Sequence, residues 1–184
     1  MLTYDDKGRA YWDGGRVPRV TEIVRLIAPR SWDVEEYFLR KGRLIHTIIQ
    51  WKTEGCLDES SVDSQLMPYL GAYQQFTDDA PFFKTIKTEV SFYSRKYGFC
   101  GRADLYANFK GYNSVVDIKS GQPHEGDQYQ TAAYLFGLKD AGFPCWRAFD
   151  LYLNKKGTYK LTEQKRPSVL FAKFMQGVRE WKPQ

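Results

Sequence analysis

The spacing of apolar residues changes near residue 80, and this change restricts the fold more than any other feature of the sequence. Upstream, helical spacing predicts three helices, which run through Ile27, from Asp33 to about Glu54, and from Leu66 to Thr77. Downstream, three β-rich runs separated by turn signals predict an antiparallel meander over 84–93, 99–109 and 112–120. The elements predicted after these are a helix over 125–141, strands over 145–153 and 158–163, and a helix from Pro167. The order predicts an α/β or α+β fold, a central mixed sheet of about five strands flanked by helices.

The second predicted helix has signals at both ends and one histidine. Asp33 and Glu36 have the spacing of a capping box, and Gly55 follows the last residue. One apolar arc on its helical wheel consists of Tyr37, Phe38, Leu44, Ile45, Ile48, Ile49 and Trp51. His46 lies roughly 60° beyond the edge of that arc. We therefore expect His46 to point into a cleft beside the sheet, and a surface histidine is the alternative.

The length of 184 residues is that of one domain. We expect a mainly helical part over 1–80, a sheet core with the functional site over 81–164, and a C-terminal helix over 165–184. No apolar stretch approaches the ~20 residues of a membrane span. The first nine residues contain no apolar core of a signal peptide. These features predict a cytoplasmic protein with no signal peptide and no membrane partner.

Charge, aromatic content and cysteine spacing narrow the classes of function. The net charge of +5 permits a polyanionic partner. Aromatic residues make up 16% of the chain, and several of them lie beside basic residues, an arrangement that suits stacking on unpaired bases. Packing in a β-rich core is the alternative role of most of them. Cys56, Cys100 and Cys145 are too scattered for a disulfide framework or a zinc site, so we expect reduced, buried thiols.

Asp117 and Lys119 are the charged residues of the segment 115–119, which is otherwise apolar and lies at the end of a predicted strand. Side chains alternate across a strand, so both should project from one face, about 7 Å apart along the backbone. The alternative is an ion pair on a solvated face. On the preceding strand, Asp104 can place its carboxylate near that of Asp117, and two such carboxylates repel unless a cation lies between them. Oxygen ligands of this kind, with the main-chain oxygen of Ile118, select Mg²⁺ or Mn²⁺.

The helix after this strand carries Gln130 and Tyr134, which are four residues apart and share one helix face. Small residues around them, 131–133, allow the helix to approach the sheet closely. That face should then lie toward the cleft of Asp117 and Lys119. Ordinary packing of Tyr134 and solvent exposure of Gln130 are the alternatives.

In chain order, these segments resemble the PD-(D/E)XK nuclease superfamily, and within it the RecB-like exonuclease branch that includes the Cas4 proteins and the mitochondrial genome maintenance exonucleases. The segments that carry the resemblance are 17–21, 41–46, 98–104, 116–121 and the Gln130/Tyr134 pair. The resemblance implies a restriction-endonuclease-like core. It also implies hydrolysis of DNA with Mg²⁺ or Mn²⁺.

The resemblance assigns roles to the residues described above. Asp104, Asp117 and His46 are the implied metal ligands, Lys119 is the catalytic lysine, and Gln130 and Tyr134 position the lysine or the DNA. Glu89 on the first strand lies where many members carry a further acidic residue. Arg43 and Arg102 are candidate phosphate contacts. The four cysteines of cluster-bearing relatives and the phosphate-binding glycine motif are missing, so we expect no iron–sulfur cluster and no use of ATP.

The function expected is that of a metal-dependent DNA exonuclease acting on single-stranded ends in recombination, repair or replication. A helicase or a single-strand annealing or binding protein would be a partner, as in a phage or prophage system. The alternatives are an inactive nuclease-fold protein that binds DNA or directs assembly, and a structure-specific endonuclease of the same superfamily.

Overall fold

In a computed structural model that describes residues 1–29 and 35–183, the central sheet consists of five strands, and each strand pairs with the next one along the chain. Its strands are β4 (Phe83–Ser94), β5 (Phe99–Phe109), β6 (Tyr112–Lys119), β7 (Arg147–Leu153) and β8 (Tyr159–Glu163). Only the β6 and β7 pair is parallel, and the other neighbours are antiparallel. The connection from β6 to β7 is a helix, as a parallel pair requires. The predicted α/β fold with a mixed sheet of five strands is confirmed.

Helices cover both faces of this sheet. They are α1 (Val20–Ile27), α2 (Glu36–Glu54), α3 (Met67–Asp79), α4 (Glu125–Asp140) and α5 (Pro167–Glu180). One core, with Phe92, Phe99 and Phe174, lies between the sheet and α1, α4 and α5. The second core, with Ile45 and Leu151, lies between the sheet and α2 and α3. The sheet is therefore the middle layer, and α2 and α4 approach the end of β6 from opposite faces.

A small antiparallel sheet precedes the helices and was not predicted. Its strands are β1 (Leu2–Tyr4), β2 (Ala10–Trp12) and β3 (Gly15–Val17). Ala10 and Val17 pack on the buried Cys100 of β5. Strands of three residues are too short to produce a recognisable alternation, which explains the omission.

The predicted apolar arc of α2 is wrong in part. Only Ile45, Ile48 and Ile49 of that arc are buried. The exposed members, between 45% and 56% accessible, are Tyr37, Phe38, Leu44 and Trp51. Gly55 ends the helix with φ of 73°, as predicted, whereas Asp33 of the predicted capping box lies outside the described residues. The expectation of buried thiols also fails at Cys56, which is exposed.

No helix among the residues 1–29 and 35–183 is long and apolar enough to cross a membrane.

Gly137 of α4 allows the helix to pack against Phe92 of β4. A Cβ atom at this position would lie 2.2 Å from the Phe92 ring. Gly137→Ala should therefore destabilise the protein by about 1–2 kcal/mol, since overpacking costs about 1–3 kcal/mol and the better helix propensity of alanine returns at most about 1 kcal/mol. Gly71→Ala in α3, where a Cβ would meet no atom within 4 Å, should be stabilising instead. Urea denaturation of both variants tests this, and equal effects would contradict the packing argument.

Candidate active site

Strands β5 and β6 separate at the point where the predicted site residues begin. Their paired register extends from Phe109 and Tyr112 to Leu105 and Val116. Beyond that point, Asp104 Oδ2 accepts a hydrogen bond from the Ile118 N–H at 2.7 Å. The carboxylate thus takes the position of a main-chain acceptor. We name the region around this end of β6, between α2 and α4, the cleft.

The regular alternation of side chains is interrupted on β4 and β5 at this cleft. Thr88 donates a hydrogen bond to Glu54 of α2, and the next residue, Glu89, also faces α2 because its φ is 48°. On β5, Asp104 contacts His46 of α2, while Leu105 lies in the core beside α2. A left-handed backbone at a residue other than glycine costs about 1–3 kcal/mol and is typical of functional sites. This strained conformation places Glu89 beside Asp104.

His46, Glu89 and Asp104 form a group that could hold a metal ion. One ligand atom from each lies within 4.8 Å of the others. His46 Nδ1 is 3.0 Å from Asp104 Oδ1. Carboxylate oxygens and an imidazole nitrogen are donors that divalent metal ions bind in proteins. Of the predicted metal ligands, His46 and Asp104 belong to this group, Glu89 joins them, and Asp117 lies outside it.

Asp117 and Lys119 lie on the other side of the cleft, facing α4. The Lys119 ammonium contacts Asp117 Oδ2 and donates a hydrogen bond to Gln130 Oε1 at 3.0 Å. Gln130 Nε2 donates to Tyr134 OH at 3.0 Å and lies 3.4 Å from Asp117 Oδ1. The four predicted residues therefore share one site. Asp117 and Lys119 do form an ion pair, but their side chains are 2% and 14% exposed, so the alternative of a solvated face is wrong.

His46, Glu89 and Asp104, which we call the metal group, shift one another's pKa values. Burial opposes the imidazolium, but the Asp104 carboxylate outweighs it and raises the pKa of His46 to about 9. Burial likewise opposes ionisation of Asp104, but His46 and the Ile118 N–H lower its pKa. Burial and the repulsion of Asp104 raise the pKa of Glu89. Without a cation, protons balance part of the negative charge in this cleft.

The Asp117–Lys119 pair is perturbed in the same way. Burial raises the pKa of Asp117, and Asp104 adds to the effect against the attraction of Lys119. Burial disfavours the lysine ammonium, but Asp117 and Asp127 outweigh it and raise the pKa of Lys119. The two carboxylates therefore stabilise the charged form of the lysine.

The two predicted phosphate contacts differ in their surroundings. Arg102 Nε lies 2.8 Å from Glu89 Oε2, and the arginine side chain is 66% exposed. Arg43 is exposed on α2, one turn before His46. Both guanidinium groups lie on elements that border the cleft. Arg102 must leave Glu89 if both are to act as predicted.

Two buried carboxylates near the lysine were not predicted. Asp127 belongs to the first turn of α4, and Asp150 lies on β7 opposite Asp117. Both are at most 5% exposed. An acidic residue within the otherwise apolar and aromatic segment 148–153 is a signal that could have indicated Asp150. For Asp127 the signal is its position three residues after His124, which caps α4.

The protonation of the metal group gives a prediction about cation binding. The pKa of His46 is raised to about 9, so at neutral pH its imidazole must lose a proton before it can act as a ligand. Affinity for Mn²⁺ should rise with pH between about 6 and 8, by about tenfold per pH unit for each proton that the bound ion displaces. Titration calorimetry on the protein alone measures it. His46→Ala should lower the slope by one proton, and a slope unaffected by that change would remove His46 from the metal site.

Comparison with known proteins supports the fold. The sequence matches no protein-family model and no curated protein. The chain is similar to a solved structure described as a "putative exonuclease" from Eubacterium rectale, with a TM-score of 0.54 and 12% identity over 81% of this chain. The match covers 66% of the other chain, just under two thirds of its length. A superposition on the protein SSO0001 gives a TM-score of 0.36 at 13% identity, over 89% of this chain and 84% of that one. At 12% identity, the similarity to the Eubacterium rectale structure shows that the two chains share a fold.

Proposed function

We propose that this protein is a divalent-metal-dependent nuclease that hydrolyses phosphodiester bonds of DNA, as an exonuclease on single-stranded ends. The observation that carries the proposal is the group of His46, Glu89 and Asp104 within 4.8 Å, together with the buried Asp117–Lys119 pair in the same cleft. Ligands for a hard cation and a buried ammonium beside it match the needs of phosphodiester hydrolysis. The fold shared with the structure described as a "putative exonuclease" supports the same class of reaction.

The residues that would hold Mg²⁺ or Mn²⁺ are His46, Glu89, Asp104, Asp117 and the main-chain oxygen of Ile118. When bound, the ion would supply an activated water and stabilise charge on the phosphate oxygens. Lys119, held by Gln130, would neutralise the additional negative charge that develops on the phosphate during attack. Its raised pKa favours this role over that of a general base.

Substrate binding would use charge around the cleft. Arg43 and Arg102 border it and are exposed, so both can reach phosphate groups. The net charge of +5 favours a polyanion. The preference for single-stranded ends is carried over from the exonucleases that the sequence motifs resemble.

The test uses end-labelled single-stranded DNA, the same sequence as a duplex, and a circular single strand. With Mn²⁺ we expect loss of label and short products from the linear single strand only, and none with chelator. A Lys119→Ala preparation purified in parallel excludes a contaminating nuclease. Cleavage of the circle would favour an endonuclease. Binding without cleavage of any substrate would favour a DNA-binding or assembly protein.

A further inference from the structure

We propose that Asp127 is a positioning residue that holds Lys119 in place, an inference that rests on the proposed function. Asp127 Oδ1 lies 3.6 Å from Lys119 Nζ, which gives the ammonium a second carboxylate besides Asp117. The side chains of Lys119 and Asp127 are 14% and 7% exposed, so water screens this attraction little.

The other oxygen of Asp127 fixes the orientation of the carboxylate. Its Oδ2 accepts hydrogen bonds from the His124 N–H at 2.9 Å and from the Tyr152 hydroxyl at 3.1 Å. Tyr152 of β7 is the register partner of Lys119 on β6. Asp127 is thus held by its own helix and by the neighbouring strand, with Oδ1 directed at the ammonium.

A second carboxylate matters because Asp117 has two roles. As a proposed metal ligand, Asp117 would share its charge with a cation and attract the lysine less. The remaining contact of Lys119, Gln130 Oε1, is neutral. Nearby Asp150 is already engaged, since its oxygens accept hydrogen bonds from Thr131 and, at 2.6 Å, from Gln164. Asp127 is therefore the anion that would keep Lys119 oriented once the cation is bound.

A purely structural role for Asp127 would be to cap α4, and one substitution separates the two roles. In Asp127→Asn, the amide oxygen can still accept from His124 and Tyr152, so the cap is retained. The amide nitrogen then replaces Oδ1 and presents a donor to the ammonium. The variant removes the attraction and leaves the helix start in place.

The first measurement is the single-turnover cleavage rate at saturating DNA and Mn²⁺. We expect Asp127→Asn to lower it by about 10- to 100-fold, the range typical of residues that orient groups at a metal site. Affinity for DNA in Ca²⁺ and affinity for Mn²⁺ should stay close to wild type. Asp140→Asn is the control, because it removes a carboxylate charge at the other end of the same helix, where Asp140 accepts hydrogen bonds from the Ser94 hydroxyl and the Lys96 N–H, and it should change the rate little. Equal losses in both variants, or parallel losses of rate and affinity, would overturn the proposal.

A second measurement does not depend on cleavage. In Ca²⁺-loaded protein with ¹³C at the lysine ε-carbons, Lys119 is assigned by the signal that disappears in Lys119→Arg. We expect a rigid ε-methylene in wild type and a mobile one in Asp127→Asn. An equally rigid Lys119 in the variant would overturn the positioning role. A wild-type protein that cuts no DNA but shows the expected change in mobility would reject the proposed function alone.

Discussion

Asp104→Asn is expected to reduce DNA cleavage by about 10³-fold or more, because it removes a charge from the metal group and from its contact with His46. Asparagine is chosen because its side-chain oxygen can still accept the Ile118 N–H. The arrangement of β5 and β6 at this hydrogen bond should therefore persist. Circular dichroism and the urea midpoint would show that the fold survives, and Mn²⁺ titration should show weaker binding.

Two further variants test whether the loss of cleavage is specific to the proposed site. Asp117→Ala should also abolish cleavage, since it removes a proposed ligand and the partner of Lys119. Asp6→Asn, an equal change of charge at an exposed position between β1 and β2, should cleave like wild type. Cleavage that resists chelator, or full activity in Asp117→Ala, is incompatible with the proposed mechanism.

The fold could be predicted from sequence where elements are long and their boundaries carry clear signals. Strand β5 has the predicted bounds of 99 and 109, and α4 begins at Glu125 as predicted. Such segments can be recognised because turn residues mark their ends and their apolar residues recur with a period of two or 3.6. The strands of the N-terminal sheet are three residues each, and their pairing with one another is decided by tertiary contacts.

The apolar arc of α2 shows a second limit. A helical wheel identifies the apolar side of a helix, but it does not tell how much of that side meets the sheet. Ile45, Ile48 and Ile49 are covered, while Tyr37 and Phe38 in the first turn are more than half exposed. Residues 35–40 are exposed on every side, so the start of the helix lies outside the core.

In the candidate site, the structure brings together the residues that motif order had grouped. His46 contacts Asp104, and Lys119 contacts Asp117 and Gln130. Glu89 could not be ranked from sequence, because its place depends on a backbone with φ of 48° inside a strand. Such a conformation is maintained by the surrounding tertiary structure and leaves no periodic signal. The catalytic and metal-binding roles of these residues stay predictions.

Lys119→Ala separates a nuclease from a DNA-binding protein of the same fold. The substitution keeps every proposed metal ligand, so Mn²⁺ and DNA should still bind. The chemical step should slow by about 10²–10³-fold, as when a group acts mainly on charge in the transition state. In a binding module, loss of one phosphate contact would instead weaken affinity and lower its salt dependence by about one counterion.

The decisive data are the single-turnover cleavage rate and the DNA affinity in Ca²⁺, measured for wild type and three lysine variants. Lys155→Ala, at an exposed position in the turn after β7, controls for loss of a positive charge and should resemble wild type. Lys119→Arg keeps the charge with a group that does not deprotonate, so it should retain part of the rate if the lysine acts electrostatically. A complete loss in Lys119→Arg with intact binding would favour a proton-transfer role. A wild type that never cuts, with a Lys119→Ala variant that loses only affinity, would identify a binding module, because a group that acts on the transition state lowers turnover without a matching loss of binding.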